Sequence, residues 1–213
     1  MARRLQAIKV TDYKEGFRFK TLPDRLAIPL KTKKPTKFFV NSMSDLFHPA
    51  MPVNFLDSVF NIIQKTPQHI YQILTKRAEN MEKYFRQRAI PQNVWLGVTV
   101  ECKNTKKRLN HLRKMKAKIK FLSLEPLLED LGKLNLKNID WAIVGGESGP
   151  RARPMKTDWV LKIKEQCEAQ DTAFFFKQWG TWGADGIKRN KKANGRKLLN
   201  ETWDEYPANL VPA

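Results

Sequence analysis

The sequence predicts an α/β fold, a partial or complete TIM-like (β/α) barrel in preference to an open doubly wound sheet. Three observations carry this. Short runs rich in β-branched and aromatic residues recur along the chain and are nearly continuous in apolar character, as strands covered on both faces are. Between most of them lies an apolar stripe at helical spacing, so strand and helix alternate, the pattern of right-handed βαβ units in a mostly parallel sheet. Polar and charged residues follow nearly every strand end, whereas a doubly wound sheet concentrates them at one switch point.

The elements follow in order. KFFVNS (37–42) is the first expected strand. Pro52 suits the first turn of a helix whose stripe is Val53, Leu56, Phe60 and Ile63. HIYQILT (69–75) is the second strand, and Ala78, Met81 and Phe85 mark the helix behind it. After NVWLGVTV (93–100), Asn104 is placed to cap a helix carrying Leu109, Leu112 and Met115. KFLSL (120–124) is the fourth strand; the stretch 126–139, with Pro126 and Gly132, predicts only a brief helix or turn. DWAIVGG (140–146) leads to a helix capped by Thr157 and striped with Val160, Ile163 and Cys167, and AFFFKQW (173–179) is the sixth strand. From Trp182 onward, glycines and lysines predict a loop-rich basic appendage, so one domain spans 1–213 with a barrel body over 1–181.

A chain of 213 residues with 41% hydrophobic residues buries a sizeable core, which excludes wholesale disorder and a disulfide miniprotein. Cys102 and Cys167 match no closely spaced ligand set, and read as reduced thiols of a cytoplasmic protein. No apolar run fits a signal peptide or a membrane span. The net charge of +19 is localised: nineteen of the forty basic residues fall in the acid-free segments 31–37, 103–120 and 186–200. A nucleic acid partner would explain such clusters through release of condensed counterions, and solvated helix faces with a flexible loop would explain them equally. The runs lack the interleaved aromatics of a dedicated single-strand binder.

In a parallel barrel, residues just past each strand converge on one mouth. Here they are Asn41, Ser42, Asp45 and His48; Thr75, Lys76 and Arg77; Thr99 and Glu101; Ser123 and Glu125; Gly145, Gly146, Glu147, Ser148 and Arg151; and Lys177, Gln178 and Trp179. Carboxylates and cations sharing one cleft suit proton transfer or the holding of a zwitterionic ligand; the plainer alternative is an ion-pair layer that closes the barrel top. Gly145 and Gly146 permit a tight turn and close approach of backbone to a ligand, with Glu147 pointing into the mouth. GGES has neither dinucleotide-loop spacing nor the lysine of a P-loop. His48 sits in a strand-end loop where it could ligate or titrate, while His69 and His111 are expected at the surface.

Taken together, FFVNSMSDLFHP, ILTKR, VWLGVTVE, FLSLEPLL, WAIVGGESGPRARPM and FFFKQWG, in that order, resemble the phage "gene product 37 / gene product 68" proteins, a radical-SAM-like family also described with a three-Cys motif. The resemblance implies a radical-SAM-like barrel of unknown substrate, nucleic acid or nucleotide modification being the expected class. With that barrel, Asp45, Glu101, Glu125, Glu147 and Lys177 are the expected catalytic residues lining the ligand mouth, although the GGE motif of radical-SAM enzymes follows an early strand and GGES here a late one, so that motif's role is not carried to Glu147. Ligand binding falls to Asn41, Ser42, Thr75, Lys76, Arg77, Gly145, Gly146, Ser148, Arg151, Gln178 and Trp179. For full-length relatives it implies a [4Fe–4S] cluster, S-adenosylmethionine and a three-Cys-motif partner protein. The family's cysteine segment precedes a helix that reads like MARRLQ, where this chain begins. The expectation is therefore a shortened copy, or a variant retaining only ligand binding, without cluster or radical chemistry in this chain. The competing reading is a non-catalytic protein that holds nucleic acid through 103–120 and 186–200.

Overall fold

The computed structural model describes residues 18–207. The helix expected at MARRLQ and the last residues of the appendage, 208–213, lie outside the described residues. Six strands, β1 (Lys37–Val40), β2 (Ile70–Thr75), β3 (Val94–Thr99), β4 (Ile119–Leu124), β5 (Trp141–Gly145) and β6 (Ala173–Gln178), form one sheet. Its order is β1-β2-β3-β4-β5-β6 and every neighbouring pair is parallel. The order never reverses, so there is no switch point and the doubly wound alternative falls. The sheet curls into a half-barrel. Lys37 Nζ on β1 reaches across to within 4.9 Å of the Trp95 ring centre on β3 and 5.8 Å of Tyr206, whose ring packs on Trp141 of β5 and Phe175 of β6.

Alternation along the strands assigns the two faces. Ile73, Leu96, Val98, Leu122, Val144 and Phe176 face the helices in the main core. Trp95, Ile119, Phe121 and Trp141 fill the concave side, with Ile70, Leu74, Ile143 and Phe175 against them. Gly97 makes room there, since a Cβ on it would lie 2.4 Å from the Phe121 ring.

The helices are α1 (Ala27–Lys31), α2 (Val53–Lys65), α3 (Ala78–Phe85), α4 (Lys107–Arg113), α5 (Thr157–Glu168) and α6 (Lys191–Asn194). Leu56, Val59, Phe60 and Ile63 form the buried stripe of α2, and Thr66 closes its end by donating to Ile62 O at 2.7 Å. Two expected caps move. Asn104 lies inside a 3-10 turn, Lys103–Thr105, and Thr105 Oγ1 does the capping by accepting from Glu101 N and Cys102 N, both at 3.2 Å. Thr157 is the first residue of α5 rather than its cap, a position held by Lys156.

The stretch 126–139 has no helix. It runs irregular, ending in a turn from Leu136 to Ile139, because α5 supplies its hydrogen bonds: Gln166 accepts from Leu134 N, while Gln170 accepts from Leu136 N and donates to Leu134 O. Beyond β6 the chain turns back and lies along that strand's outer edge, with Phe176 N donating to Trp203 O at 2.8 Å and Glu205 N to Phe174 O at 3.2 Å.

One surface expectation is overturned. His69 is fully buried, its Nδ1 accepting from Thr36 N at 3.1 Å and its Nε2 standing 3.1 Å from both Pro29 O and Thr32 O. It pins the α1–β1 connection to the start of β2. His111 is half-buried against Glu82, 2.5 Å from its Oε2.

Candidate functional site

Because all six strands are parallel, their C-terminal ends form one rim. The first part of that rim is a chain of hydrogen bonds. Asn41, at φ 56°, turns the backbone out of β1, and Ser44 N closes the turn on Asn41 O at 3.0 Å. This delivers Asp45 to the end of β2, where it accepts from Thr75 Oγ1 (2.7 Å), Lys76 N (3.0 Å) and Arg77 NH1 (3.0 Å), and also from Phe47 N (3.0 Å). Lys76 Nζ reaches on to Glu101 Oε1 at 2.9 Å, and Arg108 donates to Glu101 Oε2 at 2.7 Å and to Thr99 O at 2.9 Å. Burial alone would raise the Glu101 pKa, but hydrogen bonding from Lys76 and the charge of Arg108 reverse it, so Glu101 titrates below the usual carboxylate range.

The second part spans β4 to β6. Lys177 Nζ donates to Glu125 Oε2 at 2.7 Å; Gln178 Nε2 donates to Glu125 Oε1 at 3.0 Å and to Gly146 O at 2.9 Å. Those two acceptors fix the orientation of the Gln178 amide, and its oxygen is then buried with no donor among the described residues. Ser123 and Thr99, both buried, occupy the preceding concave positions on β4 and β3.

The two glycines act differently from the expectation. A Cβ on Gly145 would sit 3.1 Å from Glu125 Oε1, and one on Gly146 would sit 1.9 Å from Trp179 O, so their close approach is to the protein's own β4 and β6 ends and not to open space for a ligand. Glu147, expected to point into the mouth, is engaged by a cation from the turn that follows it. Arg153 takes it in a fork, Nε to Oε2 at 2.8 Å and NH2 to Oε1 at 2.9 Å, with Arg153 N adding a third bond at 2.8 Å. These hydrogen bonds hold the Glu147 pKa down at about 2. Trp179 is a core residue whose indole N–H donates to Lys197 O at 2.8 Å, and Ser148 and Arg151 are not drawn into the network, Arg151 being exposed.

A cavity of about 660 Å³ opens at the β1 end of the rim. Asn41, Ser42, Asp45, His48 and Arg77 form its polar side; Phe38, Val40, Phe55 and Val59 form its apolar floor between β1 and α2. Phe19 stacks on His48 with ring centres 4.8 Å apart. The expected residues thus divide: Asn41, Ser42, Asp45 and Arg77 share this hollow, while Glu101, Glu125, Glu147 and Lys177 lie further along the rim, outside its lining. Arg108 and Arg153 were missed from sequence. Arg108 is one cation among nine in the 103–120 charge run, and Arg153 alternates with Arg151 in GPRARP, with only the β5-end turn deciding which one meets Glu147.

The thiols present do not fit an iron–sulfur cluster. The chain holds two cysteines, where such a centre takes several thiolates brought together. Cys167 is buried on α5, its thiol pushed up to about 12 by burial, and Cys102 stands alone at the end of β3. Among the described residues no three His, Cys, Asp or Glu side chains are grouped to hold a metal ion.

A family model with the description "Protein of unknown function (DUF5131)" matches residues 1–207. The chain belongs to the DUF5131 family. No curated protein and no solved structure matches it. The matched span takes in all the rim residues and every described strand. No helix among the described residues is long and apolar enough to cross a membrane.

Proposed function

We propose that this DUF5131 half-barrel binds a small polar ligand of the nucleotide class at its C-terminal rim, as the barrel body of a radical-SAM-like phage or prophage protein that modifies a nucleotide or nucleic acid. The likeness to the phage gene product family supports the class of protein, and the rim supports the ligand. The carrying observation is the Glu125–Lys177–Gln178 set, in which a carboxylate, an ammonium and a buried amide oxygen without a donor sit together above an aromatic concave floor. Such a set offers charge of both signs and one unmet acceptor, which suits a zwitterionic or amino-bearing ligand such as S-adenosylmethionine.

Isothermal titration of adenosine, adenosine monophosphate and S-adenosylmethionine tests this. At least one should bind, and Glu125→Gln should weaken it by about tenfold, the worth of one charge-assisted hydrogen bond. Failure of all three to bind, or binding indifferent to Glu125→Gln, refutes the reading. Salt-sensitive affinity for nucleic acid, unchanged in Glu125→Gln and Glu147→Gln and with no small-molecule binding, would transfer it to the non-catalytic alternative through 103–120 and 186–200.

A further inference from the structure

The same topology that gathers strand ends above gathers strand beginnings below, and the two ends differ in charge: the rim pairs each carboxylate with a cation, while the lower end of β1 to β4 is basic and largely unpaired. The connections entering β1 to β4 are, in spatial order, 31–36, 65–69, 86–93 and 114–118, and none contains Asp or Glu. Lys33 and Lys34 stand under β1, Lys65 under β2, Arg86 under β3, and Lys116 and Lys118 under β4. All six are exposed, and none forms an ion pair among the described residues. Only Arg88 and Lys114 in these connections are neutralised, by Asp57 and Glu82 on α2 and α3. Elsewhere in the 103–120 run, Lys106, Arg108 and Arg113 are spent on carbonyls and on Glu101. Acid returns only beneath β5 and β6, with Asp140 and Asp171.

We propose that this lower face, the N-terminal end of β1 to β4, is a docking surface for the phosphate backbone of a nucleic acid duplex. Neighbouring strands lie about 4.8 Å apart, so the four connections spread over about 14 Å, a length of duplex along which one strand presents about four phosphates. The match is of charge alone. These connections contain no Phe, Trp or Tyr, and the one imidazole, His69, is buried, so they have no platform for unstacked bases, and contact is sequence-independent. The face is separated from the rim by the length of a six-residue strand, about 20 Å, so it acts independently of the ligand site above.

The test is fluorescence anisotropy of labelled DNA and RNA duplexes across a range of salt, with either duplex sufficient. Wild type should bind with log affinity falling linearly against log salt. Lys33→Glu with Lys34→Glu, and separately Lys116→Glu with Lys118→Glu, should each flatten that slope by about 1.8, two contacts at about 0.9 apiece. Each pair should also cut affinity at least tenfold. Their side chains are exposed and unpaired, so unchanged thermal melts will certify the fold. Three results overturn the proposal: no salt-dependent binding to either duplex; binding untouched by both pairs; or an equal loss in Lys191→Glu with Lys192→Glu, which would move the contact to the 186–200 segment.

Discussion

Replacing Gly146 by alanine examines whether the β5 and β6 ends interlock as described. The added Cβ would fall 1.9 Å from Trp179 O and 2.7 Å from Trp179 C, where ordinary contact begins at 3.4 Å, so the two segments must part by about 1.5 Å. The carbonyl cannot simply turn away. Gly146 N donates to Gln178 O at 2.9 Å, Gly146 O accepts from Gln178 Nε2 at 2.9 Å, and Thr181 N donates to Glu147 O at 2.9 Å. From the other side Gly180 meets Glu147 O just as closely, a Cβ there lying 2.2 Å away. With backbone against backbone, the cost belongs at or above the upper end of the overpacking range, about 3 kcal/mol. For a chain of this size that lowers Tm by about 6 to 12 °C. Gly145→Ala is the internal comparison: its Cβ meets the end of the Glu125 side chain at 3.1 Å, which can swing aside for about 1 kcal/mol or less. Paired thermal melts by circular dichroism decide it. Equal melting temperatures for the two variants, or Gly146→Ala within about 2 °C of wild type, would show that the segments do not interlock and that the glycines are spaced for something else.

Two further outcomes follow from the titration of single groups. Glu147, held at about 2 against an ordinary 4.5, stabilises the 147–153 turn fully above pH 4.5 and loses that contribution as pH falls toward 2; the Tm gap between wild type and Glu147→Gln should therefore be constant from neutral pH to about 5 and shrink below it, and a gap independent of pH would contradict the fork with Arg153. A thiol reagent at neutral pH should modify Cys102, half-exposed at the end of β3, and leave Cys167, buried and raised to about 12, until the protein is denatured; two equivalents reacting with the native protein would disprove that burial.

Much of the fold could be read from hydrophobic pattern because its signal is repeated and local. The central strand VWLGVT is buried at every position, as a parallel strand covered on one side by helices and on the other by the curl of the sheet must be, whereas the edge strand KFFV alternates exposed and half-buried positions. The register of polar residues beyond each strand was equally legible, since parallelism alone puts them at one end. What escaped is set by contacts distant in sequence. His69 precedes a strand in a polar stretch, TPQH, and nothing local says that Thr36, 33 positions earlier, will hand it an N–H. The irregular course of 126–139 depends on two glutamines of α5 that a hydropathy pattern counts only as polar. Glu147 was legible as a rim residue and not as a partner of Arg153, because the direction of its side chain is decided by the turn that also threads Gly180 past it.

The pairing of every rim carboxylate with a cation does not make the rim inert, because the cations differ in how firmly they are held. Arg108 is 20% exposed and tied to both Glu101 and a main-chain carbonyl, so withdrawing it strands a carboxylate that is only 13% exposed. Lys76 and Lys177 are 51% and 49% exposed, each held by a single monodentate contact. An exposed lysine pair of that kind contributes about 0 to 1 kcal/mol, and its flexible stem lets the ammonium swing several ångströms. A ligand bearing phosphate or carboxylate can therefore recruit Lys76 beside Glu101, or Lys177 beside Glu125, at small cost, while Glu101 keeps Arg108 and Glu125 keeps Gln178 as partners. Under the proposed ligand-binding reading, Lys177 would meet the anionic part of the ligand, and Glu125, freed from its ammonium yet still oriented by Gln178, would face an amino or hydroxyl donor of the ligand. Lys177→Met should on this account weaken anionic ligands more than adenosine itself, and equal weakening of both would place Lys177 in the rim's structure rather than at its ligand.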